Sequence, residues 1–514
     1  MAGATTLSCG ALLFSSLVLL HLYRQENDSQ ESKSIPSPRA FPLIGNIFSI
    51  PPGVEHIAYT TLGKLLKSDI ISLRLFGHNI VILNSSTATS DLLEKRSAVY
   101  SDRYCPPMIE EPSLLDWTTI TPSLGYNDLW RHHRRILNNW LNSRAVTQFH
   151  RQQEEQTHIL LKRLLEVPPT AQPFDRVKDE IFFSMASSMF RVAYGYRLKD
   201  AQDPFFIKAR LTLHRLGEAA MFTNFLVNVF PFLKYAPTWM PGTNWKRTAR
   251  QWRADKEQAL NGPYEWTKAQ IAAGTSEPSV IGALLQGHAL ASGLSSAEKD
   301  GCLREIGMVF YAGGTDTSSN ALIVFIAAMV LHPEVQAKAQ AEIDATLGPT
   351  VLPVMSDRDR LPYVNRLIME VLRWHPILPT ALPHVCFQDD VYRGYEIKKG
   401  TILLGNIWAI SRDEVAYHNP DVFNPDRFED PNVPQAPVFG WGRRKCPGIH
   451  YADYSLFITI ASLLATFTFS KVQGKEVPKV EAAANSVITE LKPFDFEFSP
   501  RSEKHRRIIL DSLH

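Results

Sequence analysis

Five cysteines are scattered along the 514-residue chain, at Cys9, Cys105, Cys302, Cys386 and Cys446, and no two form a C-x-x-C pair. That spacing argues against a zinc ribbon, an iron–sulfur cluster and a C-x-x-C-H haem attachment. Few, odd and scattered cysteines suit a chain that folds on the reducing side of a membrane. One of them sits in an unusual setting, FGWGRRKCPG over residues 439–448. Gly440, Gly442 and Gly448 permit turns and close backbone approach. Pro447 stands where the first position of a helix falls, where its missing N–H costs nothing. The pattern therefore predicts that a helix over IHYADYSLFITIASLLATF starts at Cys446. A cysteine at a helix N-terminus beside Arg443, Arg444 and Lys445 is expected to ionise easily. Such a thiolate serves as a soft metal ligand or as a nucleophile, the second needing a histidine base nearby in space. The third reading is a buried structural cysteine beside a surface basic run.

Three further segments carry polar groups in telling places. YAGGTDTSSN, residues 311–320, sets Asp316, Thr317, Ser318 and Ser319 amid apolar turns. Its two adjacent glycines each cost about 1 kcal/mol in a helix relative to alanine. Either the break makes room for something, or side-chain to backbone hydrogen bonds fill a kink. In EVLR, Glu370 and Arg373 lie three apart and share a helix face, which by itself is usually a solvated pair. WRHHRR, residues 130–135, reads by itself as a basic helix face.

The elements that must position these groups are mainly helical. Apolar spacing predicts helices over 143–166, over 302–331 with an interruption in its middle, and over 449–467. Residues 71–83 alternate and predict a hairpin turning at Gly77–Asn79. Residues 420–439, rich in Pro, Asn and Asp, form a long irregular segment just before the cysteine loop. No repeat is apparent. The composition, 45% hydrophobic and 21% charged, is that of a globular chain, and 54 basic against 52 acidic residues give no global reason to bind nucleic acid.

Residues Leu7–Tyr23 are apolar and uncharged apart from His21, at the short end of the spanning range, and Arg24 follows them. With no Lys or Arg before this stretch, the bulk of the chain is expected on the cytoplasmic side. A cleaved signal peptide is the competing reading, and the sequons at Asn27 and Asn84 go unused in a cytosolic domain. The organisation expected is a membrane anchor at 1–24, a polar and proline-rich linker at 25–46 stiffened by Pro36, Pro38 and Pro42, and a catalytic domain at 47–514.

The spacing F-x-x-G-x-R-x-C-x-G, on Phe439, Gly442, Arg444, Cys446 and Gly448, resembles the haem-binding loop of the cytochrome P450 family. The resemblance extends through the other motifs in order and implies a mainly α fold with small β-sheets preceded by one N-terminal transmembrane helix. It implies haem b, with Cys446 as the axial iron ligand. The AGGTDT segment resembles the family's oxygen-binding groove, where Asp316 and Thr317 would relay protons. Glu370, Arg373 and Arg427 (in FNPDRF) match a buried structural triad that holds the cysteine loop. Trp130, Arg134, His384 and Arg444, with Arg103 as a further candidate, match contacts to the haem propionates. The chain looks closest to fungal microsomal members that oxidise secondary metabolites, of the O-methylsterigmatocystin oxidoreductase type.

The function so implied is a monooxygenase of the endoplasmic reticulum membrane. It would insert one oxygen atom of dioxygen into a lipophilic small molecule such as a terpenoid or polyketide. NADPH would be used indirectly: the stretch after Cys446 is too short for a fused flavin domain and no dinucleotide fingerprint is present, so a separate NADPH–cytochrome P450 reductase is expected. Arg131, Arg135, Arg443 and Lys445 are the basic residues expected to receive it. The resemblance implies pocket walls at 105–122, 222–232, 310–315, 378–382 and 487–491. The apolar run 221–242 is expected to dip into the bilayer. A haem-thiolate isomerase, dehydratase or peroxygenase is the alternative; such relatives often lose the alcohol that Thr317 supplies here. A non-enzymatic tethered binding protein, without haem, is the remaining reading.

Overall fold

The structure is a computed structural model that describes residues 34–42, 44–168, 172–221, 224–287, 289–291, 295–484 and 486–512. The expected anchor at 1–24, Cys9, Asn27 and Phe222 lie outside the described residues.

The body is helical. In chain order its longer helices are α1 (Glu55–Leu65), α2 (Asp128–Leu141), α3 (His150–Leu165), α4 (Phe174–Tyr194), α5 (Pro204–Ala220), α6 (Asn244–Ala272), α7 (Ser296–Leu331), α8 (Pro333–Leu347), α9 (Pro362–Trp374), α10 (Ile449–Thr466) and α11 (Glu503–Asp511). Helix α7 starts at a capping box, in which Ser295 N–H donates to the Glu298 carboxylate at 3.0 Å and Glu298 N–H to the Ser295 hydroxyl at 3.4 Å. It ends at His332, before Pro333. It is one continuous helix, not interrupted, because polar side chains rather than a break absorb the cost of 311–320. Glu298–Leu331 is long and apolar enough to cross a membrane, but 78% of its most apolar window is buried inside the protein, so it is the core helix.

Two hydrophobic cores share α7. Cys302 to Tyr311 packs with α4, α6 and the loop after residue 108, whereas Ala321 to Val330 packs with α3, α8, α9 and α10. The polar segment 312–320 falls between the two cores. That placement explains why an otherwise apolar helix carries acid, alcohol and amide groups there.

A five-stranded sheet of order β1-β2-β7-β4-β3 joins Ile70–Leu75, His78–Leu83, Ile402–Gly405, His384–Val385 and Asp102–Arg103. Two small hairpins complete the strands, β5 (Asp390–Tyr392) with β6 (Tyr395–Ile397) and β8 (Phe467–Ser470) with β9 (Glu497–Pro500). The β1–β2 turn falls at Phe76 (φ 48°) and Gly77 (φ 87°), one residue earlier than the composition suggests; two positive φ values give the twist a two-residue hairpin needs. Arg103 pairs with His384 across β3 and β4. Ile35 to Asn46 is no free tether: Ser72 N–H donates to Pro36 O at 2.9 Å, and the buried Asn46 side chain accepts from Arg74 N–H at 2.6 Å. Asn84 is likewise engaged, accepting from the Asn406 amide at 2.8 Å, so a glycan there would break the contact to Asn406.

Candidate active site

The cysteine loop is folded by its glycines and its own backbone. Gly442 has φ 53°, and a Cβ there would overlap the Leu93 carbonyl oxygen, so only glycine fits. Its N–H donates to the Glu94 carboxylate at 2.6 Å. Cys446 N–H donates to Phe439 O at 2.8 Å and closes the loop on its first motif residue. Helix α10 begins at Ile449 with Gly448 as its cap, not at Cys446. Gly448 N–H points back to the sulfur and favours the thiolate.

The expected easy ionisation does not follow. Burial raises the Cys446 thiol above its ordinary value, and among basic groups Arg134 acts on it in the opposite sense. The three basic neighbours in sequence point elsewhere. Arg443 donates to the Tyr126 hydroxyl, Arg444 to Ser101 O and Leu124 O at 2.7 Å each, and Lys445 is exposed. Adjacency along a turn is not adjacency in space. The Cys446 side chain nevertheless keeps open surface. Deep placement with open surface puts the sulfur on the wall of an internal space, where a bound metal would hold it deprotonated.

Arg134 lies beside it, and two further guanidinium groups, Arg103 and Arg444, gather near Arg134. Arg134 lies over the Trp130 ring at 5.9 Å and Arg444 at 4.4 Å. Arg103 donates to Leu382 O at 2.8 Å and Pro383 O at 2.7 Å, while its Nε is buried and unpaired. Among the described residues none of the three has an ion-pair partner. Burial pulls Arg444 down to about 8 and Arg103 to about 9, with the neighbouring guanidinium charges adding to the effect. Buried like charges of this kind are costly without a counter-charge. The donor set therefore fits a group carrying two carboxylates and a soft metal centre, as haem b does. His384, buried on β4, binds Tyr100 O through Nδ1 at 2.6 Å, and burial keeps the ring neutral. It adjoins the cluster as a hydrogen-bonding ring rather than a charge.

Glu370, Arg373 and Arg427 are brought together. Arg373 and Glu370 form a bidentate pair at 2.7 and 2.8 Å with both side chains fully buried, and Arg427 Nε reaches Glu370 at 3.1 Å. Asn424 N–H also donates to Glu370, at 2.8 Å. The arginines then cap carbonyls leading into and within the irregular segment: Arg373 binds Ser411 O, and Arg427 binds His418 O and Val422 O, each at 2.7 Å. The segment that composition left shapeless is thus held by three charged side chains.

On α7 the two glycines have different reasons. A Cβ on Gly314 would overlap Met189 of α4, so it permits close helix packing. Gly313 is exposed in the middle of a core helix, and a Cβ there would meet nothing within 4 Å. Thr317 donates its hydroxyl proton to Gly313 O at 2.6 Å, so both readings of the motif hold at once, a filled helix turn and an open side. Asp316 is raised to about 6, first by burial and then by the Glu490 charge. Helices α2, α7 and α10 touch one another, which places Trp130 and Arg134, the 312–320 segment and the cysteine loop on adjoining elements. Sequence reading missed Glu305, a buried carboxylate on α7 bound to Trp117 and Thr119. Its signal was present as a lone acid in an apolar run.

The stretch 105–122 meets 222–232 and 310–315, and 487–491 reaches Ile377, one residue before the stretch 378–382. Met108 N–H donates to Asn228 Oδ1 at 2.9 Å, Thr489 N–H donates to Ile377 O at 2.8 Å, and Trp117 and Ile120 share a core with Phe310.

The sequence model described as Cytochrome P450 matches residues 35–498. The chain is 35% identical to Cytochrome P450 monooxygenase 208 of Postia placenta, over 99% of this chain and 98% of that one. It is 35% identical to a cytochrome P450 monooxygenase of Armillaria gallica, covering 98% of each. It is 34% identical to Tryptamine 4-monooxygenase of Psilocybe cyanescens, over 96% of this chain and 98% of that one. The fold and the family match thus define a haem-dependent type of oxidoreductase. The chain belongs to the cytochrome P450 family, and its relatives are fungal monooxygenases.

Proposed function

We propose that the protein is a haem b monooxygenase, ligated through Cys446, that inserts one oxygen atom into a lipophilic small molecule with electrons from NADPH through a separate reductase. The observation that carries it is that Arg134, beside the Cys446 sulfur, is joined by the buried Arg103 and Arg444, none of the three having an ion-pair partner among the described residues. The haem, when bound, supplies dioxygen activation and attack on the substrate C–H bond. The chain's residues do the rest. Gly448 N–H steadies the thiolate. Arg103, Arg134 and Arg444 hold the propionates. Asp316, raised to about 6, exchanges a proton with solvent near neutral pH, and the Thr317 hydroxyl passes one on once it leaves Gly313 O.

Product formation by purified protein with reductase should require both NADPH and dioxygen. Conversion without either would instead establish an isomerase or dehydratase, and conversion driven by peroxide alone a peroxygenase. Thr317→Ala should raise the peroxide released per NADPH oxidised several-fold, and Thr317→Ser should restore coupling. A fully coupled Thr317→Ala enzyme would refute the relay.

The reading extends to partners. Arg131, Arg135, Arg443 and Lys445 are all exposed, which supports docking of an acidic reductase on that face. A membrane location, expected to be the endoplasmic reticulum, is supported by apolar surface at 226–240, where Phe232, Tyr235 and Trp239 are 65, 78 and 82% exposed. Phe230 meets Phe76 of the hairpin tip at 5.5 Å, and the hairpin in turn carries the Ile35–Asn46 strut, so anchor side and apolar loop share an edge. In full-length protein reconstituted with brominated phosphatidylcholine, Trp239→Phe should remove well over a tenth of the tryptophan quenching, the share one of 10 tryptophans would have by chance. Unchanged quenching would place the loop outside the bilayer. The apolar walls favour a terpenoid or polyketide substrate over a polar one.

A further inference from the structure

Glu305 is a buried acid that the oxygen chemistry does not use. It stands eleven residues before Asp316 on α7, about three helical turns and ~16 Å away on nearly the same face. Its Oε2 accepts from Trp117 Nε1 at 2.9 Å and its Oε1 from the Thr119 hydroxyl at 2.7 Å. Both donors belong to the loop 112–127, between the turn at Pro107–Glu110 and α2. Helix α6 grips the same loop from its other side. Lys256, buried, donates to Asp116 O at 2.7 Å and lies over the Trp117 ring at 5.8 Å. Arg253 pairs with Asp116 at 2.8 Å and also binds Pro112 O. Asp116 takes a left-handed φ of 53°, a conformation these partners sustain. The loop's far end reaches the cysteine loop, through Leu124 O to Arg444 and the Tyr126 hydroxyl to Arg443. Loop 112–127 is thus a strap stretched between Glu305 and the arginine cluster.

We propose that Glu305 is a positioning residue, whose carboxylate latches the strap 112–127 to α7 and thereby fixes the width of the space between α7 and the cysteine loop, restricting which bulky lipophilic molecules enter. The argument is one of geometry and inventory. Trp117 is fully buried and its indole N–H has Glu305 as its acceptor, so releasing the carboxylate leaves a buried donor unpaired and favours swinging the strap outward. Leu114, Trp117 and Ile120 pack with Ile306 and Phe310 in the same core, so movement of the strap loosens the core that borders the 312–320 segment. Burial raises the Glu305 carboxyl above its ordinary range, and the Trp117 and Thr119 donors with the Lys256 charge oppose that rise. The size-selection part rests on the proposed monooxygenase reading; the latch itself does not.

The test uses full-length ferric protein, Glu305→Gln, Trp117→Phe and the double variant. Backbone hydrogen exchange over 112–127 should quicken at least tenfold in each, with peptides of α9 and the cysteine loop unchanged. Stopped-flow binding of clotrimazole should accelerate at least fivefold, while that of imidazole, too small to be gated, stays within twofold. The double variant should exceed neither single, as expected for two ends of one contact. Unchanged exchange over 112–127 in both single variants overturns the latch. Faster exchange with clotrimazole and imidazole equally affected overturns the size restriction. If no azole shifts the spectrum of any variant, the parent included, the haem reading fails while the exchange data still decide the latch.

Discussion

Cys446→Ala should abolish the strongly red-shifted Soret band expected of the reduced protein with carbon monoxide, and NADPH-dependent turnover should fall to background. This is the largest effect expected of any single substitution, because no other side chain can replace the sulfur. Cys105, Cys302 and Cys386 are raised by burial to about 12, 12 and 11, which marks them as packing residues. The folded chain should survive the change. Among the described residues the Cys446 sulfur is engaged by Gly448 N–H and the Arg134 charge, while the loop is closed by backbone bonds such as Cys446 N–H to Phe439 O. Cys446→Ala should therefore keep its helical circular dichroism and lose its colour. Cys446→His should bind haem through nitrogen and give an unshifted band. A Cys446→Ala protein that retained the red-shifted band would overturn the ligand assignment outright.

The residues that carry the site were legible in sequence where their chemistry is local. Gly442 shows why: φ of 53° and the Leu93 carbonyl leave no choice of residue, so the motif is written by steric necessity. The pairing of Glu370 with Arg373 was legible as helix spacing, and Arg427 through resemblance. What the sequence concealed was direction. Arg443, Arg444 and Lys445 look like activators of Cys446, yet a 3-10 turn at Gly442–Arg444 aims Arg444 at backbone carbonyls of residues 101 and 124. The charge that reaches the sulfur, Arg134, comes from a helix more than three hundred residues earlier in the chain. Likewise the two glycines of α7 read as one interruption, and only packing against Met189 separates their roles. Glu305 was overlooked because its partners, Trp117 and Thr119, lie 188 and 186 residues away. Tertiary contacts, not propensity, decide such cases.

Glu370→Ala should cost about 3–5 kcal/mol, the second-largest effect, since it strands two guanidinium groups away from water. The Arg373 side chain is fully buried and that of Arg427 is 5% exposed, so neither can turn to solvent without opening the segment 411–427. Asn424 N–H loses its acceptor in the same stroke. Urea unfolding followed by tryptophan fluorescence measures the loss. The exposed helical pair Lys95–Asp91, also at 2.8 Å, is the control, and Lys95→Ala should cost no more than about 0.5 kcal/mol. Replacing a whole buried ion network by apolar residues is often neutral in stability. Here it should not be. Arg373 and Arg427 also supply the donors for Ser411 O, His418 O and Val422 O, so a triple apolar variant would leave the carbonyls of an irregular segment unpaired. That segment leads straight into the cysteine loop. The triple variant should therefore fold less stably than the parent and take up less than a tenth of its haem. Parental stability and haem content in that variant would show that the triad supplies only charge balance, with the loop shaped by its own backbone.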